Sequence, residues 1–190
     1  MRIVGGSRRT RRLVAPEGRS LRPTSERARE ALFNIIGHRD FAPFVLRGAR
    51  VIDLFAGTGA LGLEALSRGA AHLTAVESDS AALVSLRQNI NSLDFDDKAR
   101  VIRGDATRLP PAQESCAYAF LDPPYRGGKA APALASLVEN GWLIEGAIVV
   151  AETSAKEVLE APDGFEEIDR RRYGAAEILI MKYLGSPAAE

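Results

Sequence analysis

From residue 50 onward the chain alternates short apolar runs with stretches whose apolar residues recur every three or four positions. Val51-Ile52-Asp53-Leu54-Phe55-Ala56 is continuous enough for a buried strand, residues 60–68 follow as a helix, and Leu73-Thr74-Ala75-Val76-Glu77 reads as a second strand. Leu83, Leu86 and Ile90 share one face of a helix over 79–93. A short strand at Arg100-Val101-Ile102-Arg103, another at 117–121, a helix over 130–139 and the all-apolar Ala147-Ile148-Val149-Val150-Ala151 continue the series. Such alternation predicts a parallel sheet covered by helices on both faces. The end departs from it: residues 165–173 and 177–183 flank only Gly174-Ala175-Ala176, and so short a connection permits only an antiparallel pair. The expected fold is α/β with a seven-stranded mixed sheet.

Ahead of this series, Arg2-Ile3-Val4 and Leu13-Val14-Ala15 read as two short strands around a basic loop that starts at Gly5-Gly6. That N-terminal hairpin is too thin to fold alone. Pro16 and Gly18 break the chain, and after Pro23 the hydroxyl of Thr24 is suited to cap a helix in which Ala28, Ala31, Leu32, Ile35 and Ile36 share a face before Gly37 stops it. The organisation expected is a basic hairpin and loop over 1–24, a main domain over 25–184 and a disordered tail over 185–190.

At 190 residues, 46% hydrophobic and 26% charged, the chain holds material for one core, which excludes disordered, collagen-like and membrane classes. No stretch approaches the roughly 20 apolar residues of a spanning helix, and the first thirty residues lack the apolar segment of a secretory signal. A cytoplasmic location is expected. Lys+Arg and Asp+Glu balance at 25 each, yet Arg2, Arg8, Arg9, Arg11, Arg12, Arg19, Arg22, Arg27 and Arg29 face only Glu17, Glu26 and Glu30 in the first thirty residues. That end is +6 and the remainder −6. A basic head made of Arg rather than Lys suits phosphates and base edges, whereas a plain solvated arm is the alternative. Cys116, the lone cysteine, reads as an inert core thiol. His38 and His72 read as surface or turn residues, and Asp94, Asp96 and Asp97 as a solvated loop, since the glycine and terminal Glu of a calcium loop are missing. No metal is expected.

Candidate chemistry begins where the first strand hands over to the first helix. Gly57-x-Gly59-x-x-Gly62 matches a dinucleotide-binding fingerprint, and Glu77, twenty residues past Gly57, ends the next strand where a carboxylate can hold ribose hydroxyls. Both NAD and S-adenosylmethionine carry the adenosine that this constellation binds. Asp53 tilts the choice: a carboxylate four residues before Gly57 is awkward beside a pyrophosphate and suits a ligand with an ammonium and a sulfonium. Gly104-Asp105-Ala106 closes the third strand, where an acidic side chain can accept from an adenine amino group, although Gly-Asp is equally a common turn.

Asp122-Pro123-Pro124-Tyr125 stands directly after the apolar strand ending at Leu121. An exocyclic amine of a nucleobase is a poor nucleophile, because its lone pair is delocalised into the ring. Two fixed acceptors, the Asp122 side chain and the Pro123 carbonyl, can hold both N–H groups and bend the nitrogen toward tetrahedral geometry. Successive prolines fix φ and remove competing donors. Tyr125 supplies a face for the base to stack on, a contact worth about 1–3 kcal/mol.

The Asp122-Pro123-Pro124-Tyr125 motif, the Asp53-x-Phe55-x-Gly57-x-Gly59 loop and the final antiparallel pair resemble class I S-adenosylmethionine-dependent methyltransferases, a Rossmann-like fold, that act on amino groups of nucleobases. Arg2-Ile3-Val4-Gly5-Gly6, Leu21-Arg22-Pro23-Thr24 with Arg27, Arg29, Glu30, Leu32, Phe33 and Asn34, the run from Gly59 to Arg68, and Asn140-Gly141-Trp142-Leu143 narrow the likeness to the bacterial 16S ribosomal RNA guanine-N2 methyltransferases. It covers essentially the whole chain. The resemblance implies that Gly57, Thr58 and Gly59 lie under the methionine part of S-adenosylmethionine, that Glu77 takes the ribose, and that Asp105 with Ala106 takes the adenine. It further implies that Asp122, Pro123, Pro124 and Tyr125 hold the target base, that Arg22 and Thr24 lie near the cofactor or target, and that Arg8, Arg9, Arg11 and Arg12 grip 16S rRNA. The partner expected is that RNA, free or in a partly assembled small subunit, and the protein is expected to be a monomer.

Three rivals stand beside this reading. Adenine-N6 methylation of DNA or RNA uses the same amine chemistry. NAD-dependent oxidoreduction follows from the glycine fingerprint but leaves Asp122 to Tyr125 unexplained. An RNA-binding assembly factor could retain the fold without the reaction.

Overall fold

The computed structural model describes residues 1–16, 26–37, 45–124, 128–155, 157 and 159–185. Arg22, Thr24, His38, Tyr125 and the tail over 186–190 lie outside the described residues.

Apolar runs with no polar alternation form strands buried on both faces, and β1 (Arg50–Leu54), β2 (His72–Glu77), β3 (Ala99–Arg103) and β4 (Cys116–Leu121) are of this kind or close to it. With β5 (Leu143–Ser154), β6 (Phe165–Tyr173) and β7 (Ala176–Tyr183) they make one seven-stranded sheet in the order β3-β2-β1-β4-β5-β7-β6. The first five strands run parallel, and β7 is antiparallel to both β5 and β6. The α/β fold expected from the sequence, with its seven-stranded mixed sheet, is the fold observed. β5 extends the expected 147–151 at both ends. Gly146, at φ 81°, and a register shift between Cys116 and Tyr118 carry it past Glu145, while pairing with β7 as far as Ser154 carries it past Ala151.

Helices α1 (Glu26–Ile36), α2 (Ala60–Ser67) and α3 (Ser80–Ser92) pack on one face of the sheet, where Leu32, Phe33, Leu63, Leu66, Leu83 and Leu86 meet Val51, Ala75 and Phe120. Helix α4 (Ala130–Glu139) packs on the other, its Ala133, Leu134 and Leu137 against Ile52, Ala119 and Val149. α1 is rotated from the expected face. It buries Ala28, Arg29, Leu32, Phe33 and Ile36, because Phe33 stacks on Phe120 with ring centroids 5.5 Å apart, while Ala31 and Ile35 are half-buried. His72 begins β2 rather than standing in a turn, and burial lowers its pKa. Cys116 is buried, its thiol pushed up to about 12 by desolvation, as befits an inert core group.

The expected N-terminal hairpin is reduced to one antiparallel bridge, Arg2 with Arg12, flanked by hydrogen bonds from Thr10 N to Ile3 O and from Leu13 N to Met1 O. Between them lies a single 3-10 turn over Gly6–Arg8. The strands stay short because their remaining backbone groups find partners on the helices. Val4 N donates to Glu64, Arg8 N donates to Ser67 Oγ, and Ser67 Oγ donates to Gly5 O. Ile3 and Leu13 join the main core, so the segment is part of the packed body rather than an appended arm.

Strand β6, at one border of the sheet, carries Glu166, Glu167, Asp169, Arg170, Arg171 and Arg172; Arg170 pairs with Glu167 and Glu177, and Arg171 with Asp169.

Asn89 of α3 is fully buried and joins three segments. Its Oδ1 accepts from Val14 N at 2.7 Å, and its Nδ2 donates to Val14 O at 3.0 Å and to Thr58 O at 2.9 Å. Asn89→Ala strands those groups and is expected to destabilise the protein by about 1–3 kcal/mol. Urea denaturation reads the loss, and faster amide exchange at Val14 marks its place. An unchanged midpoint counts against it.

Candidate active site

The strand order reverses between β1 and β4, and in open α/β sheets such a switch point leaves a crevice at the carboxyl ends of the strands. β1 ends there in Asp53 and Leu54, and the chain then makes a tight loop to α2. Phe55 sits at φ 59°, a left-handed conformation that costs a bulky residue about 1–3 kcal/mol and that accumulates at functional sites. Gly57 has φ 56°, and a Cβ there would meet only Phe55 O, at 3.9 Å, so its bare backbone faces open space. Gly59, at φ 84°, starts α2; a Cβ there would run into Leu86 and Leu63.

Three side chains hold this loop. Glu77, at the end of β2, accepts from Gly57 N through Oε2 and from Ser78 N and Asp79 N through Oε1, each at 2.8 Å. Asp53 Oδ2 accepts from Gly62 N in the first turn of α2, also at 2.8 Å. Asn89 takes the Thr58 carbonyl from below. The carboxylates expected to bind a ligand thus also build the cradle.

A cavity of about 360 Å³ opens at these strand ends. Of the residues expected at the site, it brings together Asp53, Gly57, Thr58, Glu77, Asp122 and Pro124. Gly59 and Pro123 do not line it, and neither does Asp105 with Ala106. Asp105 is exposed, and its Oδ1 accepts from both the backbone N and the hydroxyl of Thr107, which holds its carboxyl below the usual range. Ala106 is buried in the α4-side core. Phe55, Arg29 and Lys129 line the cavity without having been singled out as site residues. Positive φ at Phe55 leaves no mark in a sequence, and Arg29 looks like one more arginine of a basic segment.

The floor is acidic. Asp53 and Asp122 line it, and Glu152 stands next to Asp122 because Leu121 of β4 is in register with Ala151 of β5. Burial, reinforced by Glu77, raises the Asp53 carboxyl to about 7, against the Gly62 hydrogen bond that lowers it. Burial and the carboxylates of Glu152 and Asp53 hold Asp122 well above the usual range. A positively charged ligand would relieve this repulsion, and a pyrophosphate would add to it. The open backbone at Gly57 and the acidic floor are compatible with a ligand that carries cationic groups, the make-up of S-adenosylmethionine.

The basic positions divide. Arg8 Nε donates to Leu93 O at the C-terminal end of α3, its Nη2 pairs with Asp94, and its guanidinium lies 5.4 Å from the Phe95 ring centroid. Arg11 Nη2 reaches Ser92 O at 3.5 Å. Both arginines therefore complement the negative end of α3. Arg9 and Arg12 are exposed, with no ion pair among the described residues.

The family model described as conserved hypothetical protein 95 matches residues 1–182. The chain belongs to that family. It is 40% identical over 158 residues to the ribosomal RNA small subunit methyltransferase D of Escherichia coli strain K12, covering 82% of this chain and 76% of that protein. It is 33% identical over 178 residues to the enzyme of the same name from Haemophilus influenzae, with 92% and 89% covered. A solved structure, "Putative methyltransferase yhhF from Escherichia coli", superposes with a TM-score of 0.83 at 34% identity, over 98% of this chain and 99% of that one. Among the described residues no helix is long and apolar enough to cross a membrane.

The raised Asp53 gives a pH dependence of definite sign. Between the ordinary carboxylate range and about 7, Asp53 is protonated in the free protein and releases its proton to solvent when a cationic ligand binds. Affinity for S-adenosylmethionine is expected to rise with pH through 7 and level off above it, with proton release on binding. Titration calorimetry in buffers of different ionisation enthalpy measures both, and Asp53→Asn serves as the control that removes them. No proton exchange at pH 6.5 would contradict this account.

Proposed function

We propose that the protein transfers a methyl group from S-adenosylmethionine to the exocyclic N2 amine of a guanine in 16S ribosomal RNA. The observation that carries the reading is that Asp122 and Pro124 share one cavity with Asp53, Gly57 and Glu77, so a cofactor cradle and the Asp122 amine acceptor open into the same space. Names of the relatives support small-subunit rRNA as the substrate. Guanine N2 rests on the likeness of the motif set to that enzyme class.

When bound, S-adenosylmethionine supplies a methyl carbon attached to a positively charged sulfur. The chain's task is to make a poor nucleophile attack it. Asp122 follows β4 directly, and its backbone N lies 3.4 Å from Leu54 O of the neighbouring strand, which anchors the segment on rigid sheet. Its carboxylate accepts one N–H of the target amine and the Pro123 carbonyl accepts the other, drawing the nitrogen lone pair out of the ring. Asp122, held well above the usual carboxylate range, is also basic enough to take the proton that the methylated nitrogen sheds. Folded RNA hides this amine, so the base must leave its stack to enter. Tyr125 stacks on it in this reading, and Asp105 and Ala106, which do not line the cavity, take the adenine. Arg9 and Arg12 hold RNA phosphates, and Arg22 and Thr24 contribute to binding the cofactor or the target. The protein works as a cytoplasmic monomer on free rRNA or a partly assembled subunit.

Asp122→Ala is expected to lower single-turnover methyl transfer to a small-subunit RNA fragment by about 10²-fold or more while S-adenosylmethionine affinity survives. With wild-type protein, digestion of the product should yield N2-methylguanosine. N6-methyladenosine would point to the adenine rival, and no transfer at all to a binding protein.

Recognition is tested apart from chemistry by Arg9→Ala/Arg12→Ala, which leaves the α3-capping Arg8 in place. RNA affinity is expected to fall, and the slope of log affinity against log salt to flatten by roughly 0.7–0.9 per lost phosphate contact. An identical slope would reduce these arginines to a solvated surface.

A further inference from the structure

Arg29 is fully buried, yet it belongs to the apolar stripe of α1, one turn ahead of the Phe33 that stacks on Phe120. A guanidinium in that position must be neutralised and hydrogen-bonded, because burial of an unpaired charge costs several kcal/mol. Its partners among the described residues fall short of that. Nη2 donates to Arg2 O. Nε lies 3.8 Å from Glu64 Oε2, beyond hydrogen-bond reach, and neither Nε nor Nη1 has an acceptor.

Glu64 cannot make up the difference. It too is fully buried, its Oε2 accepts from Val4 N at 2.8 Å, and its Oε1 takes Arg68 Nε at 2.7 Å. Glu64 is therefore shared between two guanidiniums, and Glu26, the other carboxylate that acts on Arg29, is itself paired with Arg2, so two Arg29 donors stay without an acceptor. Desolvation pushes the Arg29 pKa down against the opposing charges of Glu64 and Glu26, and Arg68 adds a smaller push the same way. This cluster is not sealed in the core, since Arg29 forms part of the wall of the cavity whose floor holds Asp53 and Asp122.

The cavity is thus bipolar, with carboxylates at the floor and, in the wall, a guanidinium whose Nε and Nη1 lack acceptors. A ligand that matches carries an anionic group and cationic groups a few bonds apart. The amino-acid end of S-adenosylmethionine has this make-up: a carboxylate beside an ammonium, with a sulfonium beyond. An RNA phosphate matches less well, because it would bring a second anion over the acidic floor without a cation to offset it.

Resting on the cofactor reading above, we infer that Arg29 is the anchor for the carboxylate of S-adenosylmethionine, with Nη1 as the donor and Glu64 and Arg2 O holding the guanidinium in place. The role differs from that of Glu77 and the glycine loop, which hold the nucleoside side and the backbone near the sulfur. It also gives α1 a part in ligand binding that its helical pattern does not show.

Decarboxylated S-adenosylmethionine, which keeps the ammonium and sulfonium and lacks only the carboxylate, isolates the contact. The wild-type protein is expected to bind S-adenosylmethionine about 10- to 100-fold more tightly than the decarboxylated compound, the range of a hydrogen bond between charged groups. In Arg29→Met that preference should collapse to near unity through loss of affinity for the carboxylate ligand alone. Arg29→Lys, which keeps the charge without the fork, should retain an intermediate preference. A wild-type protein that does not discriminate, or a folded Arg29→Met that discriminates as wild type does, overturns the assignment. If Arg29→Met fails to fold, the wild-type preference and its reduction in Arg29→Lys decide the matter, and undiminished preference in Arg29→Lys overturns it. If the wild type binds neither compound, the cofactor reading itself fails, a result distinct from equal binding of both.

Discussion

The site depends on a constraint of connectivity: a parallel strand, a crossover and the next parallel strand must turn in a right-handed sense. Going from β1 to β2 and β3 in one direction across the sheet places α2 and α3 on the same face. Continuing from β3 to β4 on the far side of β1 places α4, the helix that follows, on the other. The chains leaving β1 and β4 therefore part above the sheet and cannot cover the gap between them. Asp53 and Asp122 are the residues at its two sides. What the loops do afterwards, including the left-handed turn at Phe55, refines a crevice that strand order has already opened.

Much of this was legible because buried parallel strands are continuous apolar runs and amphipathic helices repeat at their own period. The seven strands and the helices α2, α3 and α4 follow from those two signals. The beginning of β5 was not legible, since Leu143-Ile144-Glu145-Gly146 carries a charge and a glycine, and only pairing with β4 makes a strand of it. The N-terminal segment misled for the opposite reason. Its sequence describes a hairpin, but the groups that would have extended the ladder bond to Glu64 and Ser67, sixty residues away, where no local pattern points. Similarly, Arg8 and Arg9 look alike in sequence, and only the position of the end of α3 separates them.

Within the site, the motifs located the acidic residues, and the structure added their electrostatic relation. Asp53 stands on β1, Asp122 follows β4 and Glu152 lies on β5 beyond it, so the charges of its two neighbours add to burial in raising Asp122. The sheet tolerates this concentration of charge because Asp53 is bonded to the first turn of α2 and because the cavity admits ligand or water to the rest. Glu77 illustrates the same economy: its three backbone donors hold it in one rotamer, which makes it both a fastening for the glycine loop and a preorganised acceptor.

Strand β6 bears on a different matter, the behaviour of the protein in a crowded solution. A border strand offers a row of unpaired backbone groups to any other chain that can align with it, and flat apolar borders seed aggregation. Here the exposed border carries acidic and basic side chains in quick succession, already paired with one another across short distances. A β-register slip between Glu167 and Asp169 further breaks the regular spacing that an incoming strand would need. The longest strand, β5, and its apolar neighbour β7 lie behind that border, so on this side of the sheet the apolar heart is kept from pairing with a second copy.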